Sequence, residues 1–525
     1  MTASNMGISP IERILQVALK YPDRPALELH DASYSYRELT ESAASIAESI
    51  SDLKDSNPYV AVMADKSFAC YTGILGILMA GKAYLPLNPR FPAARNAYML
   101  EKARIRMIVS GENSDDELDN IVENYPSGIY VIFPERIGLT PLTPSPLFPL
   151  SNWRGGQGVR QNPAYLLFTS GTTGKPKGVP VSIGNLASYL EFMLKTYNFI
   201  PEDRFTQNFD LTFDLSVHDL FLAWSSGACL CVPRDNSSFE MARFIREKEP
   251  TVWFSVPSVV LLMEMMRLLK PGAFPSIRLS YFCGEALHSK TADVWKKAVP
   301  QSRVVNLYGP TEATIAISHY ELPGNIKEWK SEIGIVSIGR IFEGNTMLIR
   351  GWNSQVTSQV TCEVNEGELC LRGDQVVKGY FENEVADSEA FFIDPDSMSK
   401  FYKTGDLVKV DEDGDLFYLG RKDSEVKISG YRVNLKEIEN VLAEYELVAQ
   451  AVITCDQDTE GQGTIQAYIL GKKAARIDDK ELDAFCRQRL PWYMVPGKYN
   501  FVEEIPLNMN GKVDLAALKL KYGNG

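Results

Sequence analysis

The stretch LLFTSGTTGKPKGVPVS, from Leu166 to Ser182, places three glycines, five hydroxyl side chains and two lysines between apolar flanks. Glycines let the backbone approach a ligand closely, while amides, hydroxyls and lysines can surround phosphate oxygens. The stretch therefore predicts a loop that binds a polyphosphate. It is not a Walker A loop, because Gly171 and Gly174 enclose only two residues and Pro176 follows Lys175. A turn without a ligand would have a similar composition, so the neighbouring sequence has to decide.

The composition limits the class of protein. The chain has 525 residues, 45% of them hydrophobic and 10% aromatic, which is enough for several domains with cores of their own. Its formal net charge of -13 argues against a general nucleic-acid-binding protein, which normally has a basic face. The eight cysteines show neither zinc-type CxxC pairs nor the density of a disulfide scaffold. We therefore expect a reducing, cytoplasmic location.

No part of the sequence predicts a membrane segment. The first residues, MTASNMGISP, lack a charged segment followed by an apolar one. The most apolar run, YTGILGILMAG at 71–81, is too short to span a bilayer and predicts a buried helix that ends at Gly81.

Apolar strand-like runs alternate with amphipathic helical stretches over most of the length. The runs at 59–64, 105–110, 129–133 and 229–233 predict α/β layers around largely parallel sheets. The segment 139–158 is rich in proline, serine and glycine and predicts an exposed connection. A second boundary is indicated near 420–431, where a charged stretch precedes a predicted helix (434–445), two strands (449–455 and 464–470) and another helix (479–490). About 100 residues of this kind form a plausible small domain.

Eight further motifs lie before and after the opening loop along the chain. They are SYRELT at 35–40, ILMAGKAYLPLNPRFP at 77–92, FDLSVHDLF at 213–221, NLYGPTEATIA at 306–316, GELCLRGDQVVKGYF at 367–381, YKTGDLVK at 402–409, GRKDSEVKISGYRVNLKEIE at 420–439 and PLNMNGK at 506–512. In this series the chain resembles the adenylate-forming superfamily and, within it, the amino-acid adenylation domains of non-ribosomal peptide synthesis. The resemblance implies a large N-terminal α/β domain of layered mixed sheets and helices, residues 1–422, and a small mobile α+β C-terminal domain, residues 423–525.

The resemblance also implies a reaction in two halves. A carboxylate attacks the α-phosphate of Mg-ATP to give an acyl-adenylate and pyrophosphate, and a thiol, usually the phosphopantetheine of a carrier protein, then takes the acyl group. The first half brings an anion to a polyanion, so catalysis should come from positioning and electrostatic stabilisation. ATP and Mg²⁺ are the expected cofactors.

Most of the expected contacts to ATP fall on these motifs. Lys512 resembles the lysine that bridges the carboxylate and the α-phosphate, although a lone lysine after an Asn-Gly turn is more often solvated. Thr173 and Lys175 would order the terminal phosphates, and Glu312 resembles the magnesium ligand. Catalytic roles therefore fall to Lys512, Thr173 and Glu312. The implied ATP-binding residues are Thr169, Ser170, Gly171, Thr172, Thr173, Gly174, Lys175, Gly284, Glu285, Ala286, Asn306, Tyr308, Gly309, Thr311, Asp406, Tyr418 and Arg421.

Among these, Tyr308 would stack on adenine, although an isolated tyrosine is more often core packing. Asp406, with Tyr418 and Arg421, would bind the ribose. Thr311 would contact the α-phosphate, yet GPTE by itself could be a turn with a helix cap.

The C-terminal residues imply a change of arrangement between the two half-reactions. Asp423 falls at the family's hinge, and rotation about it would withdraw Lys512 and bring the thiolation loop around Lys427 and Gly430 to the active site. KDSEVK at 422–427 could equally be an ordinary charged linker. Thirteen residues after Lys512 hold no carrier-type serine site, and no condensation domain precedes the core, so we expect a free-standing enzyme that loads a separate carrier protein.

Asp214 matches the aspartate that receives the α-ammonium in amino-acid-activating members, rather than simply starting a helix. The corresponding pocket positions are Asp214, Leu215, His218, Phe254, Tyr281, Cys283, Leu307, Ile315, Ala316 and Lys512. Most are apolar and none between the two charged ends could pair with a charged side chain. His218 is either a neutral wall residue, which we favour, or a hydrogen-bond donor to a polar group. The set resembles that of stand-alone prolyl-AMP ligases of pyrrole-forming and anatoxin-type pathways, which favours L-proline.

Other amino acids and other functions stay open at this point. His218, Tyr281 and Cys283 depart from the residues expected for proline, so ring-substituted or other small apolar amino acids fit as well. An acyl- or aryl-CoA ligase of the same superfamily is a second hypothesis, against which Asp214 argues. A nucleotide-binding regulator without turnover is a third, which would not need Lys512.

Overall fold

The structure is a computed structural model. It describes residues 8–112, 115–123, 125, 128–138, 160–170, 176–234, 237–351, 365–422, 425–457, 463–472, 477–506, 513 and 515–523. The helices within these ranges are α1 Pro10–Lys20, α2 Tyr36–Asp52, α3 Phe68–Met79, α4 Ala93–Lys102, α5 Asp115–Glu123, α6 Ile183–Thr196, α7 Leu215–Ser226, α8 Ser238–Lys248, α9 Pro257–Met265, α10 Ser289–Ala298, α11 Glu384–Ala390, α12 Leu435–Ala443, α13 Asp479–Arg487 and α14 Leu515–Tyr522. None of these helices is long and apolar enough to cross a membrane.

The strands alternate with the helices along most of the chain. They are β1 Pro25–Leu29, β2 Ala32–Ser35, β3 Tyr59–Met63, β4 Ala83–Leu87, β5 Met107–Val109, β6 Tyr130–Ile132, β7 Pro163–Thr169, β8 Lys177–Ser182, β9 Arg204–Thr206, β10 Cys229–Val232, β11 Val252–Ser255, β12 Leu279–Phe282, β13 Arg303–Tyr308, β14 Ser318–Glu321, β15 Ser331–Glu332, β16 Ile335–Val336, β17 Arg340–Ile341, β18 Asn345–Arg350, β19 Glu366–Gly373, β20 Phe391–Asp394, β21 Ser399–Val410, β22 Leu416–Arg421, β23 Glu425–Ile428, β24 Tyr431–Asn434, β25 Val448–Gln457, β26 Gly463–Gly471 and β27 Lys498–Val502.

Two large sheets are mainly parallel, as the alternation of elements predicts. One has six strands in the order β6-β5-β3-β4-β7-β8, and only its β7–β8 pair is antiparallel. The other has nine strands in the order β17-β14-β13-β12-β11-β9-β10-β1-β2, antiparallel only toward its two edges. The strands expected at 59–64, 105–110, 129–133 and 229–233 are confirmed as β3, β5, β6 and β10. An antiparallel sheet of β18-β19-β21-β20, with β22 beside β21, completes this part of the fold.

The apolar run at 71–81 is a buried helix, as predicted, but its bounds differ by two to three residues. Helix α3 starts at Phe68 because the Ser67 side chain accepts a hydrogen bond from the Cys70 amide at its first turn. It ends at Met79 because Gly81 leaves the helix with a φ of 74°. A Cβ at Gly76 would come within 2.7 Å of the Ala43 carbonyl oxygen, so this glycine permits the close packing of α3 on α2.

The predicted C-terminal elements are confirmed as α12, β25, β26 and α13. Beyond residue 425 the described chain has its own core cluster, which includes Val433, Ile438, Ile453, Ile469 and Leu482. From residue 425 onward the predicted boundary region is not an irregular linker, because β23 and β24 pair as an antiparallel hairpin. The division of the chain at residue 423 stays a prediction.

Candidate active site

The site lies at the carboxyl ends of the parallel strands of the nine-stranded sheet. Strands β11, β12 and β13 are neighbours, and they end near Phe254, Cys283 and Tyr308. Open α/β sheets bind their ligands at this edge. Thr169, at the end of β7, and Asp214, at the start of α7, line one cavity there.

One end of the site is built around the buried carboxylate of Asp406. The Tyr308 hydroxyl donates a hydrogen bond of 2.6 Å to Asp406 Oδ2, and Arg421 Nη1 lies 2.7 Å from Asp406 Oδ1. Asp406 and Arg421 face each other across β21 and β22. Tyr418 lies on the same strand as Arg421. The structure thus brings together the residues predicted to hold the ribose and the base.

Glu285 and Asn306, both predicted to bind ATP, have defined partners. The carboxylate of Glu285 accepts hydrogen bonds from the Ser258 amide (3.0 Å), from the Ser258 hydroxyl (3.1 Å) and from the Gly430 amide (2.8 Å). Burial raises the pKa of Glu285, and these bonds oppose that change. The Asn306 amide donates to the Ser337 carbonyl oxygen at 2.9 Å.

Glu312, the predicted magnesium ligand, is fully buried and paired with an arginine. Arg432 Nη1 lies 3.0 Å from Oε2 and 3.2 Å from Oε1, and the Tyr380 hydroxyl donates to Oε1 at 2.6 Å. Burial raises the pKa of Glu312, but Arg432 and Lys177 outweigh it, so the pKa is lowered and the group is a carboxylate. A carboxylate has the hard oxygen atoms that Mg²⁺ prefers, so Glu312 has the chemistry of the predicted role, and its oxygens are bonded to Arg432 and Tyr380 in this arrangement.

The ion pair of Glu312 belongs to a longer chain of buried charges. Arg432 Nε bonds the carboxylate of Glu425, and Arg421 Nη2 lies 2.8 Å from the same Glu425 oxygen. Because Arg421 also pairs with Asp406, charges of alternating sign connect Asp406 to Glu312 through the β23–β24 hairpin. The chain holds three carboxylates and two guanidinium groups.

Asp214 is the other buried carboxylate of the site, and it is not fully paired. It is 3% exposed, and its Oδ2 has no hydrogen-bond partner among the residues that the structure describes. It stands at the N-cap position of α7 without capping the helix with its side chain. Burial raises the pKa of Asp214 to about 7, opposed by hydrogen bonds from Thr311 and from the Ile315 amide. A cation placed at Oδ2 would favour the carboxylate form.

Residues 15–381 match the family model of the AMP-binding enzymes. The chain belongs to the AMP-binding enzyme family. The model of the C-terminal domain of these enzymes matches residues 437–512. The chain is an adenylate-forming enzyme related to the adenylation domains of non-ribosomal peptide synthesis, as its motifs predict.

Two relatives and one solved structure illustrate the similarity. Tyrocidine synthase 3 of Brevibacillus parabrevis is 30% identical over 508 residues, covering 95% of this chain and 7% of that protein. A dimodular nonribosomal peptide synthase of Bacillus subtilis (strain 168) is 32% identical over 514 residues, covering 95% of this chain and 20% of that protein. The Vibrio cholerae adenylation domain AlmE, solved in complex with glycyl-adenosine-5'-phosphate, is 30% identical with a TM-score of 0.86, covering 99% of both chains. The chain therefore spans a minor part of these two synthases.

In this AMP-binding enzyme, the predicted amino-acid pocket has an aromatic and aliphatic wall. The His218 ring centroid lies 4.4 Å from that of Phe254 and 5.2 Å from that of Tyr281. Leu215, Leu307, Ile315 and Ala316 are buried as well. Burial raises the pKa of the Cys283 thiol to about 12, so it is protonated and apolar in character.

His218 is only half paired. Its Nδ1 shares a 2.6 Å hydrogen bond with the Tyr189 hydroxyl, whereas Nε2 finds no partner within the described ranges. Burial lowers the pKa of His218 to about 3, so the imidazole is neutral. The Tyr281 hydroxyl likewise has no partner in the part of the chain that the structure describes.

The β23–β24 hairpin of the AMP-binding enzyme reaches into the site. The Ser170 hydroxyl donates to the Arg432 carbonyl oxygen at 2.6 Å and accepts from the Asn434 amide at 3.1 Å. Lys427 Nζ lies 5.8 Å from the centroid of the Tyr308 ring. Lys427 and Gly430 thus stand beside the residues predicted to bind the nucleotide.

A buried ion pair and stacked rings hold the same C-terminal region against the N-terminal part. Arg95 Nη1 lies 2.7 Å from Glu437 Oε1, with both side chains buried. The ring of Tyr431 stacks on Phe213 and on Tyr493, at centroid distances of 5.3 and 3.8 Å.

Several predicted site residues lie outside the described residues: Gly171, Thr172, Thr173, Gly174 and Lys175 of the opening loop, Asp423 of the hinge position, and Lys512. Their roles stay predictions. The described flanks of the loop, Thr169 and Ser170, reach the same cavity as Asp214 and Thr311.

Sequence reasoning missed the partners of the predicted residues. Arg432, Tyr380 and Gln375 all occur in the motifs quoted above, yet the motifs do not say what they contact. The three contacts join segments at least 59 positions apart in sequence. Buried polar side chains inside a motif, each needing a partner, were the available signal.

Proposed function

We propose that this enzyme adenylates an amino acid. ATP and the amino acid would give an aminoacyl-adenylate and pyrophosphate. The observation that carries the proposal is the buried Oδ2 of Asp214, which has no partner among the described residues and faces the cavity that Thr169 and Thr311 also line. A buried carboxylate needs a cationic partner, and the α-ammonium of an amino acid supplies one through a charge-assisted hydrogen bond of about 1.5–3 kcal/mol. A fatty or aryl acid would leave the Asp214 carboxylate unpaired.

The proposed roles follow the chemistry of each group. Asp406 would accept hydrogen bonds from the ribose hydroxyls, Tyr308 would stack on adenine, and Thr311 would contact the α-phosphate. Glu312 would hold Mg²⁺, which offsets phosphate charge when bound. Lys512 would stabilise the charge that develops as the carboxylate attacks, so Lys512→Ala should abolish exchange and spare thioester formation from supplied aminoacyl-adenylate.

For the second half-reaction, we propose transfer to the phosphopantetheine thiol of a separate carrier protein, in the cytoplasm. Support comes from the hairpin with Lys427 and Gly430, which lies against Glu285 and Tyr308. A hinge at Asp423 would let this hairpin alternate with Lys512. Asp423→Pro, which restricts the backbone, should lower thioester formation more than adenylation; an equal loss of both would refute the hinge.

For the amino acid itself, we propose L-proline. The neutral His218, the thiol of Cys283 and the aliphatic residues around them suit a small apolar ring, and the secondary ammonium still offers two hydrogens to Asp214. Ring-substituted amino acids are the second candidate, favoured by His218 Nε2 and the Tyr281 hydroxyl, neither of which has a partner in the described part of the chain. A hydroxyl placed between these two atoms would satisfy both of them.

An amino-acid-dependent ATP–pyrophosphate exchange panel tests these proposals. It should include L-proline, hydroxyprolines, glycine, alanine, valine and phenylalanine, with aryl and fatty acids as controls. Strong exchange with L-proline and little with the others supports the first candidate, and preference for a hydroxyproline supports the second. A single methylene changes discrimination by only about 1–3 kcal/mol, so weak exchange with close analogues is expected.

Two outcomes would redirect the proposal. Exchange only with aryl or fatty acids would indicate an acyl- or aryl-CoA ligase, which coenzyme A as acceptor would then confirm. Nucleotide binding without exchange for any acid would indicate a regulator on the same scaffold.

A further inference from the structure

The turn that follows Glu312 has an unusual backbone. Thr314 and Ile315 have φ values of 57° and 72°, two successive non-glycine residues in the left-handed region. Such a conformation is unfavourable for a β-branched residue and persists only where the surroundings hold it. Ile315 and Ala316 are also among the residues predicted to line the amino-acid pocket.

Gln375 holds this turn from one side. Its side chain is fully buried, and Nε2 donates to the Ala316 carbonyl oxygen at 2.7 Å and, more weakly, to that of Ala313 at 3.5 Å. The Thr314 hydroxyl donates to the Gln375 carbonyl oxygen at 2.6 Å. The side-chain oxygen of Gln375 is itself fixed, because it accepts a 2.9 Å hydrogen bond from Asn345.

Gly309 holds the same turn from the other side. A Cβ at Gly309 would come within 2.6 Å of the Ala316 Cα and 3.0 Å of the Ile315 carbonyl oxygen. The Ile317 amide donates to the Tyr308 carbonyl oxygen at 2.7 Å. The turn therefore lies between the backbone at 308–309 and the side chain of Gln375.

The position of this turn matters for Asp214. Burial raises the pKa of Asp214, and a hydrogen bond from the Ile315 amide is among the interactions that oppose it. A shift of the turn would move both this amide and the Ile315 and Ala316 side chains, which form part of the predicted pocket wall.

We propose that Gln375 is a positioning residue for amino-acid binding. It acts through the 313–316 turn, because its side-chain amide and oxygen are bonded to that turn and to Asn345. The proposal rests on the proposed amino-acid adenylation. It assigns part of the selectivity for the amino acid to a side chain outside the predicted pocket.

The test compares two changes that each convert a donor into an acceptor of the same shape. Gln375→Glu removes the donor to Ala316 and keeps the acceptor for Asn345. Asn185→Asp is the matched control, because the Asn185 amide donates to the same loop from outside, at Asp374 (2.6 Å) and Val376 (3.3 Å), without touching the turn. The acceptor that caps helix α6 is kept in the control.

Pyrophosphate exchange at pH 8.5 should show a KM for the amino acid raised about tenfold by Gln375→Glu, the effect of losing one buried hydrogen bond. The KM for ATP should change less than about twofold, and the control should change neither KM by more than this. Lowering the pH to 6 protonates part of the introduced carboxyl, which can then donate to Ala316. The ratio of the variant's KM for the amino acid to the parent's KM, both measured at the same pH, should therefore fall from about ten toward one. A purely structural role would not produce this recovery.

Gln375→Met is the second variant, and it removes both the donor and the acceptor at similar side-chain volume. It should raise the KM for the amino acid relative to the parent by a similar factor at pH 8.5 and at pH 6. An unchanged KM for the amino acid in both variants, or an equal rise in the KM for ATP, would overturn the proposal and leave adenylation intact. Absence of exchange by the parent enzyme with every amino acid would contradict the proposed function, and this proposal with it.

Discussion

The buried carboxylate of Asp214, whose Oδ2 has no partner among the described residues, leads to a prediction about both stability and binding. In the folded protein the pKa of Asp214 is raised to about 7, mainly by burial, from 3.8 as its ordinary value. In the unfolded chain Asp214 ionises at the lower, ordinary pKa. The free energy of unfolding should therefore fall as pH rises from about 4 to 7. The difference of about three pKa units between the folded and unfolded states corresponds to about 4 kcal/mol, at about 1.36 kcal/mol per unit. The free energy of unfolding is lowered by this full amount above about pH 8.

Asp214→Asn removes this ionisation, so the variant should be more stable than the parent when no amino acid is present. The advantage should be about 2 kcal/mol at pH 5.5 and about 4 kcal/mol at pH 8.5, so it widens by about 2 kcal/mol over this range. Urea unfolding followed by tryptophan fluorescence at both pH values measures the difference.

The same change should weaken amino-acid activation. Losing a charge-assisted hydrogen bond of about 1.5–3 kcal/mol corresponds to a drop of about 10- to 150-fold in kcat/KM for the amino acid. In the parent, the KM for the amino acid should rise as pH falls below about 7, because Asp214 becomes protonated. A stability difference that stays constant between pH 5.5 and 8.5, together with unchanged exchange, would refute the reasoning.

Three further changes test other contacts of the site. Arg95→Met leaves the buried Glu437 carboxylate without its partner, which should lower the free energy of unfolding by about 3–5 kcal/mol. The variant should also slow carrier loading more than pyrophosphate exchange, and equal slowing in the two assays would contradict this. Tyr189→Phe removes the partner of His218 Nδ1 and should lower the free energy of unfolding by about 1–3 kcal/mol in a urea titration, and an unchanged value would argue against the hydrogen bond. Glu312→Gln should shift the Mg²⁺ dependence of exchange to higher concentration, and an unaltered Mg²⁺ titration would remove Glu312 from the metal site.

The sequence predicted the elements of the fold well because periodicity is a local property. The runs that became β3, β5, β6 and β10 could be placed from apolar residues alone. The hairpin at 425–434 could not, because its charged residues resemble a linker until Glu425 and Arg432 are seen to pair with Arg421 and Glu312.

The site was predicted as a set of positions, but their partners were not. Asp214 and His218 follow from one motif, whereas Tyr189, which fixes the His218 ring, lies on another helix 29 positions away. Gln375 contacts a turn 59 positions away, so no spacing rule could indicate it. Contacts between distant segments depend on how the layers pack, which a single sequence does not encode locally.

The alternating chain of charges from Asp406 to Glu312 has a consequence for recombining such enzymes. Its members come from three stretches of the chain, around 312, 406–425 and 432. In a chimera whose C-terminal portion comes from a relative, that portion must therefore supply charges that pair with Arg421 and Glu312 of the recipient. A donor segment without an arginine at the place of Arg432 would leave the buried Glu312 carboxylate without its arginine partner, while Glu425 would keep only Arg421. The compatibility of the two parts can therefore be read from the two sequences before any gene is assembled.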